Sequence, residues 1–286
     1  MRSRTVFLIA ALAAALAAGD ASAGKGGPSP GVLLGWDGAR APGAAVRYVA
    51  LFAPGNTVVA AVRVRDGRVL RHASLRGELG VPQVAFDGST DGLTADGRTL
   101  VLASPTTSSG RGATSRFAVL STRSLHVRQT IDLPGLWSFD AVSPDGSRIY
   151  AIEYLGGGDA PAYRVRAIDV ASGRPLPGAV IDPREPEEVE MRGSPTTRAF
   201  GPGRAWAFTL YAKPNGTAFV HALDTRRGKA VCIDLPWTSL GNAIWAVRMS
   251  VTDGGRALTL RQRGGGRLAS VDLGSFRVRA FRAPTA

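Results

Sequence analysis

The sequence predicts an all-β protein and, within that class, a β-propeller of five four-stranded blades, with six blades as the alternative. Three observations support this prediction: a motif that recurs about every 52 residues, a high density of turn residues, and the lack of a ten-residue helical pattern outside the N-terminus. Glycine and proline account for 36 and 18 of the 286 residues, which suits a fold with many tight turns.

The recurring motif is an arginine followed by an apolar strand. It begins at five arginines with spacings of 51, 50, 56 and 52 residues: Arg47, Arg98, Arg148, Arg204 and Arg256. Four of the five follow turn residues, as in Ser143–Gly146, where Asp-Gly supplies the left-handed backbone of a tight hairpin. Five such repeats need about 260 residues, which matches the chain that remains once its N-terminal segment is set aside.

Each repeat is expected to hold four strands, here called A to D in chain order. The third repeat shows them most clearly, near Ser138–Ser143, Arg148–Tyr154, Tyr163–Val170 and Pro175–Ile181. Alternating apolar and polar residues, β-branched side chains and glycine-bounded ends favour strands over helices. A lone sheet of this size cannot bury both of its faces, so neighbouring sheets must stack around a common axis.

The third repeat also resembles the blade repeat of exported bacterial propellers of the YVTN and TolB type, which are similar to WD-repeat proteins. The resemblance rests on Ser143-Pro-Asp-Gly-Ser-Arg-Ile-Tyr150 and on Ala167-Ile-Asp-Val-Ala-Ser-Gly173. It implies a propeller that binds proteins, peptides, envelope polymers or small molecules, although a few related propellers are enzymes. It implies no catalytic residue, because the sequence matches no active-site motif of such a family.

The N-terminus is typical of an exported protein. Arg2 and Arg4 precede the apolar run Val6–Ala18, and Ala21–Ala23 fits a small-residue cleavage site. We therefore expect residues 1–23 to be a signal peptide, 24–30 a flexible lead-in and 31–286 a single propeller domain. Retention of the apolar run as a membrane anchor is the alternative. We expect a protein that is secreted, periplasmic or associated with the cell envelope. Because no cysteine follows the apolar run, we do not expect a lipoprotein.

Composition excludes several classes of function. A net charge of +13 attracts polyanions, but the sequence has no run of five basic residues, so specific nucleic-acid binding is not expected. Cys232 is the only cysteine, and three histidines are too few for a histidine-rich metal site. A segment beginning at Asp87 resembles the start of a calcium loop, but Arg98 stands where the last acidic ligand belongs. No metal and no cofactor are expected.

The B–C and D–A connections are longer and more varied than the other turns, and they emerge on one side of a propeller, here called the loop face. Binding residues concentrate in such loops. The candidate ligand-binding residues on this face are Trp137, Glu153, Asp159, Trp237 and Arg261. The two indoles could stack on a sugar or a peptide, and capping the space between blades is their alternative role. Glu153 ends an apolar strand, so it is expected to pair with Arg261 across the central channel or to anchor a ligand.

The expected function is a non-catalytic binding module, acting as a monomer, for a protein, a peptide or an envelope polymer. Motifs of metalloproteases, serine hydrolases, phosphate-binding loops and dinucleotide-binding folds are all missing from the sequence. One alternative is a propeller hydrolase, active on lactones or glycans, with carboxylates at the channel mouth. Another is a polyanion binder whose affinity comes from net charge and falls steeply with salt.

Overall fold

The computed structural model describes residues 34–35, 37–105, 113–156, 162–187 and 189–285. Within these ranges the chain forms eighteen strands in five antiparallel sheets, with three short 3-10 turns at Pro202–Arg204, Gly241–Ala246 and Asp253–Gly255. The strands are β1 Val46–Ala53, β2 Asn56–Arg63, β3 Val69–Arg76, β4 Thr99–Ala103, β5 Thr114–Ser121, β6 Val127–Pro134, β7 Trp137–Val142, β8 Arg148–Tyr154, β9 Tyr163–Asp169, β10 Arg174–Pro175, β11 Ser194–Phe200, β12 Trp206–Ala212, β13 Ala218–Asp224, β14 Lys229–Asp234, β15 Val247–Thr252, β16 Ala257–Gln262, β17 Arg267–Asp272 and β18 Val278–Ala280.

The five sheets are the five predicted blades, and the protein is an all-β propeller. Blade 1 is β1 to β3, blade 2 is β4 to β6, and blades 3, 4 and 5 take four strands each in sequence order. The five repeated arginine motifs form or lead into β1, β4, β8, β12 and β16, which are the second strands of their blades. The prediction of five similar antiparallel units is therefore confirmed.

Two blades lack a regular innermost strand. In blade 1 this position is reduced to a bridge between Ala39 and Tyr48, and in blade 2 to bridges that join Gly80 to Ala103 and Leu93 to Leu100. The segments concerned are rich in glycine and proline, which weaken strands through lost entropy and missing donors. The backbone there makes single contacts to its neighbour instead of a continuous ladder.

Strand D of blade 3 is shorter than expected. Only Arg174–Pro175 pairs regularly, although Leu176 and Val180 still donate backbone hydrogen bonds to strand C at 2.7 and 2.8 Å. Pro175 and Pro177 have no backbone N–H, so the predicted ladder over 175–181 cannot be completed.

Four apolar clusters hold successive blades together. They lie between blades 1 and 2, 2 and 3, 3 and 4, and 4 and 5. Their members alternate along each strand with residues of the opposite face, as the two-residue period of a strand requires. Inner strands β7 and β11 also carry charged residues, Asp140 and Arg198, into the centre of the molecule.

The turns between strands C and D share one backbone feature. In all five blades the amide of one turn residue bonds back to the carbonyl four residues earlier, and that residue has a positive φ. Glycine takes this position in three blades, whereas Leu125 and Phe276 take it in blades 2 and 5 with φ of 59° and 57°. The fold therefore tolerates a side chain in the left-handed region where that side chain packs against the core, and Leu125 is fully buried.

The described residues include no helix long and apolar enough to cross a membrane. The predicted signal peptide, residues 1–23, and the lead-in, residues 24–30, lie outside the described residues.

Candidate functional site

A cleft of about 550 Å³ opens on the loop face between blades 3 and 4. One wall is the D–A connection that leads from blade 3 to blade 4, and the other is the B–C turn of blade 4 with the end of β14. Antiparallel strands bring these two kinds of connection to the same end of the sheets, which is the face where the sequence predicts binding. We call this the 3–4 cleft, and its lining residues are Glu185, Glu190, Met191, Arg192, Lys213, Pro214, Asn215, Phe219, Cys232 and Asp234.

The 3–4 cleft combines both signs of charge with an apolar floor. Lys213 lies with its Nζ 3.2 Å from Asp234 Oδ1 and 4.9 Å from the ring centroid of Phe219. Phe219 itself is buried and stacks on Tyr211 with centroids 5.2 Å apart, so the floor of the cleft is rigid. Because exposed Glu190 and half-buried Lys213 both line it, the cleft can meet a ligand that carries two opposite charges.

Behind the cleft, Asp182 is buried and closely engaged. Its carboxylate accepts hydrogen bonds from Arg184 Nε at 2.9 Å and from the Cys232 backbone N–H at 2.9 Å, and Arg184 also donates to the Cys232 carbonyl. Burial raises the pKa of Asp182, but the hydrogen bonds from Arg184 and from the Cys232 amide, together with the charge of Arg184, outweigh it and hold that pKa below its usual value. Arg184 thereby fixes the D–A connection against β14.

One group of possible metal ligands exists in the described part of the chain. An oxygen of Asp182, an oxygen of Glu185 and the sulfur of Cys232 lie within 4.8 Å of one another. However, both oxygens of Asp182 already accept from the Arg184 guanidinium at 2.9 and 2.5 Å. A cation would have to displace that arginine, so this arrangement fixes a loop and is poorly suited to holding a metal.

Glu153 and Arg261 do not meet across a central channel, so that expectation was wrong. Glu153 Oε2 accepts hydrogen bonds from Arg164 Nε at 2.6 Å and from Arg166 at 3.2 Å, both on the neighbouring strand β9. Arg261 is exposed on β16, where it lies opposite Arg248. The Glu153 carboxylate therefore pairs with cations of its own blade. Side chains on adjacent antiparallel strands lie closer together than side chains on opposite sides of a central channel.

Both candidate tryptophans are buried between blades. Trp137 is 5% exposed in the cluster between blades 2 and 3, and Trp237 is 2% exposed in the cluster between blades 4 and 5. The indole N–H of Trp137 donates to the Pro134 carbonyl at 2.9 Å. These positions agree with the capping role, and neither ring is open to a stacking ligand in this structure. Asp159 lies outside the described residues.

A charged network fills the space between the inner segments of blades 2, 3 and 4, and sequence analysis did not predict it. Arg198 of β11 donates to a carboxylate oxygen and to the backbone carbonyl of Asp140 on β7, and its guanidinium lies 3.8 Å from Asp91. Arg204 pairs with the other oxygen of Asp91. Asp140, Arg198 and Asp91 are almost fully buried, so each charge depends on its partners.

Near this network, several buried polar atoms have no partner among the described residues. They are Asp140 Oδ2, Arg198 Nε, Thr209 Oγ1 and His221 Nε2. Burial lowers the pKa of His221 and raises that of Asp91, because both side chains lose solvation. The signal that could have identified the network is a charged residue at an inward position of two successive A strands, Asp140 in Ser-Phe-Asp-Ala-Val and Arg198 in Thr-Thr-Arg-Ala-Phe.

No protein-family model matches the chain, and no curated protein matches it in sequence. Solved structures do resemble it in fold. Hydrazine synthase of Kuenenia stuttgartiensis is 20% identical, with a TM-score of 0.49 over 83% of this chain and 65% of that one. Dihydro-heme d1 dehydrogenase is 16% identical, with a TM-score of 0.48 over 87% and 45%. TolB of Acinetobacter baumannii is 14% identical, with a TM-score of 0.40 over 84% and 53%.

The chain thus spans between 45% and 65% of the length of these three proteins. At such identities the similarity concerns the fold alone, and it assigns no ligand or reaction to this chain.

Proposed function

We propose that this chain is an exported, non-catalytic binding module that holds a short peptide segment in the 3–4 cleft. The observation that supports this most is the composition of the cleft, where carboxylates and cations both line a floor formed by the buried ring of Phe219. A peptide segment offers both charges and apolar side chains within one short length. Export is part of the proposal, and it rests on the signal-like residues 1–23.

We prefer a binding function to a hydrolytic one because the buried carboxylates near the centre are paired with arginines. A hydrolase of the alternative kind needs carboxylates at the channel mouth that can take or give a proton. Among the described residues, Asp91 and Asp140 are each engaged by an arginine and buried. Such paired carboxylates stabilise a structure, which supports the interpretation of the protein as a binding module.

A displayed library of random peptides, selected against the purified protein, tests the proposal. The affinity of the selected peptides is then measured by calorimetry on the wild type and on Lys213→Glu, which reverses a charge inside the cleft. We expect Lys213→Glu to weaken binding about tenfold, as loss of a charge-assisted contact does. Lys229→Glu is the matched control, because Lys229 lies exposed at the opposite end of the same blade.

The control variant should bind like the wild type. If no peptide is enriched, or if the two lysine variants lose affinity equally, the 3–4 cleft is not the binding site and the proposal fails.

A further inference from the structure

One face of blade 1 is largely apolar, and no apolar cluster of the described residues joins it to another blade. Residues of β1 to β3 alternate between this face and the cluster shared with blade 2, where Val59 and Ala61 are fully buried. The opposite side, here called the open face of blade 1, carries Val49, Leu51, Val58, Ala60, Val62 and Val69 together with Arg47, His72 and Ser74. Ala60 and Val62 in the middle of it are buried, at 8% and 7% exposure. Leu51, Val58 and Val69 on it are 55%, 42% and 53% exposed. Such clustering of exposed aliphatic residues is unusual for a surface that meets only water.

In a closed ring, blade 5 would cover the open face of blade 1. The side of blade 5 that would do so is polar, whereas the open face is largely apolar. The four apolar clusters join the blades in order, and none among the described residues joins blade 5 to blade 1. The side of blade 5 that faces away from blade 4 carries Arg248, Ser250, Thr259 and Arg261. Arg248 already lies 3.9 Å from Asp87 and donates to the carbonyls of Trp245 and Val247. Packing valine and leucine against Arg261 would bury a cation, which costs free energy.

Positive charge surrounds the open face of blade 1. Between residues 46 and 76 the chain has one acidic residue, Asp66, and six arginines: Arg47, Arg63, Arg65, Arg68, Arg71 and Arg76. Arg71 points to the other side, where it donates to the Thr122 carbonyl of blade 2. Asp66 already pairs with Arg63 and Arg65. The apolar surface extends round the end of the blade to exposed Val64 and Leu70, which lie beside Arg40 and Arg65 in a shallow cleft. A partner must therefore supply negative charge and apolar groups together.

We propose that the open face of blade 1 binds the surface of an anionic lipid bilayer. Such a surface offers both components over a wide area, and each side chain that reaches it adds to the affinity independently. A second copy of the chain fits less well. Two copies would bring together their surplus arginines, which repel each other.

The experiment is co-sedimentation with lipid vesicles. The protein is produced from the full-length gene, its N-terminus is determined, and it is mixed with vesicles of phosphatidylglycerol and phosphatidylcholine in equal parts, or of phosphatidylcholine alone. We expect binding to the mixed vesicles, weakened by salt, and little binding to the neutral ones. Val58→Asp should lower the partition coefficient about tenfold, because a carboxylate replaces an aliphatic contact beside anionic lipid. Arg47→Gln should lower it about fivefold.

The chain supplies matched controls on β6. Val127 is 40% exposed, close to the value for Val58, and Arg128 next to it is exposed. Val127→Asp and Arg128→Gln repeat the two chemical changes on another blade, and both should bind vesicles like the wild type. Far-ultraviolet circular dichroism confirms that each variant is folded. Leu51→Asp, at a more exposed site, replaces Val58→Asp if that variant does not fold.

Three results would overturn the proposal. The first is no sedimentation with the mixed vesicles, and the second is equal loss for Val58→Asp and Val127→Asp. The third is a dimer in analytical ultracentrifugation that Val58→Asp dissociates while vesicle binding is missing, since the face would then join two copies. Because the 3–4 cleft lies on other blades, these results are independent of the peptide-binding experiment.

Discussion

Replacing Arg198 with methionine should destabilise the protein strongly. The side chain of Arg198 is 1% exposed and lies between two buried carboxylates, Asp140 and Asp91. Methionine keeps much of the volume and the unbranched stem but removes the charge and all five donors. The variant therefore isolates the electrostatic part of the contact between the inner strands of blades 3 and 4.

The loss of stability comes mainly from Asp140, whose buried charge is left without its partner. Asp91 keeps Arg204 as a partner, whereas Oδ2 of Asp140 has no partner among the described residues and Oδ1 would lose its only strong donor. Removing one member of a buried ion pair costs about 3–5 kcal/mol, because the remaining charge is left without compensation. For a chain of this size, that corresponds to a fall in Tm of roughly 6–20 °C.

Urea titration followed by circular dichroism and by tryptophan fluorescence measures this difference. Two probes are needed, because arrays of repeated units can unfold in more than one step. Asp140→Asn in the Arg198→Met background removes the uncompensated charge, so the double variant should recover more than about 1 kcal/mol relative to Arg198→Met. The reasoning is refuted if Arg198→Met unfolds within about 1 kcal/mol of the wild type, or if the second substitution recovers nothing.

Two further predictions concern single residues. Gly67 has a φ of 71° and open space around its missing Cβ, so Gly67→Ala should cost about 1–2 kcal/mol from backbone strain alone, and Gly67→Asn less, as shown by their urea midpoints. His221 is buried and its pKa is lowered by burial, so the unfolded chain binds its proton first as the pH falls. The wild type should therefore lose stability as the pH falls below about 6.5, and His221→Leu should lose less over the same interval in thermal melts. Equal pH dependence in the two proteins would show that His221 does not contribute.

The repeat could be predicted from sequence because its signals are local. Asp145 illustrates this: its carboxylate accepts from the Ser143 hydroxyl at 2.6 Å and from the Ser147 amide at 3.0 Å, all within one turn. Leu125 shows the limit. Nothing in its own sequence indicates a left-handed backbone, and that conformation is stabilised by the burial of its side chain between blades and by the hydrogen bond from its amide to the Ser121 carbonyl.

The central network was not predicted because its partners are distant in sequence. Asp140 and Arg198 are 58 residues apart, and each looks like an isolated charge in an otherwise uncharged strand. A charge in an apolar strand was also the reason for selecting Glu153. The partner expected for it, Arg261, was wrong because Glu153 is near the end of its strand. At that position arginines of the adjacent strand can reach it without passing through the core. Position along the strand, and not charge alone, decides whether a partner comes from the same blade or from another.

The number of repeats likewise does not determine whether the first and last blades meet. Five units account for the length of the chain, but contact between blade 1 and blade 5 depends on the two faces that would touch. In β16, apolar Leu258 and Leu260 alternate with Thr259 and Arg261, of which Thr259 is buried and Arg261 is exposed, so the side of blade 5 away from blade 4 is polar. In β2, both Val58 and its neighbour Val59 are apolar, and Val59 alone is buried. Val58 remains 42% exposed on the open face, and the side of blade 5 that would face it carries Arg248 and Arg261, so the two sides do not match as those of successive blades do.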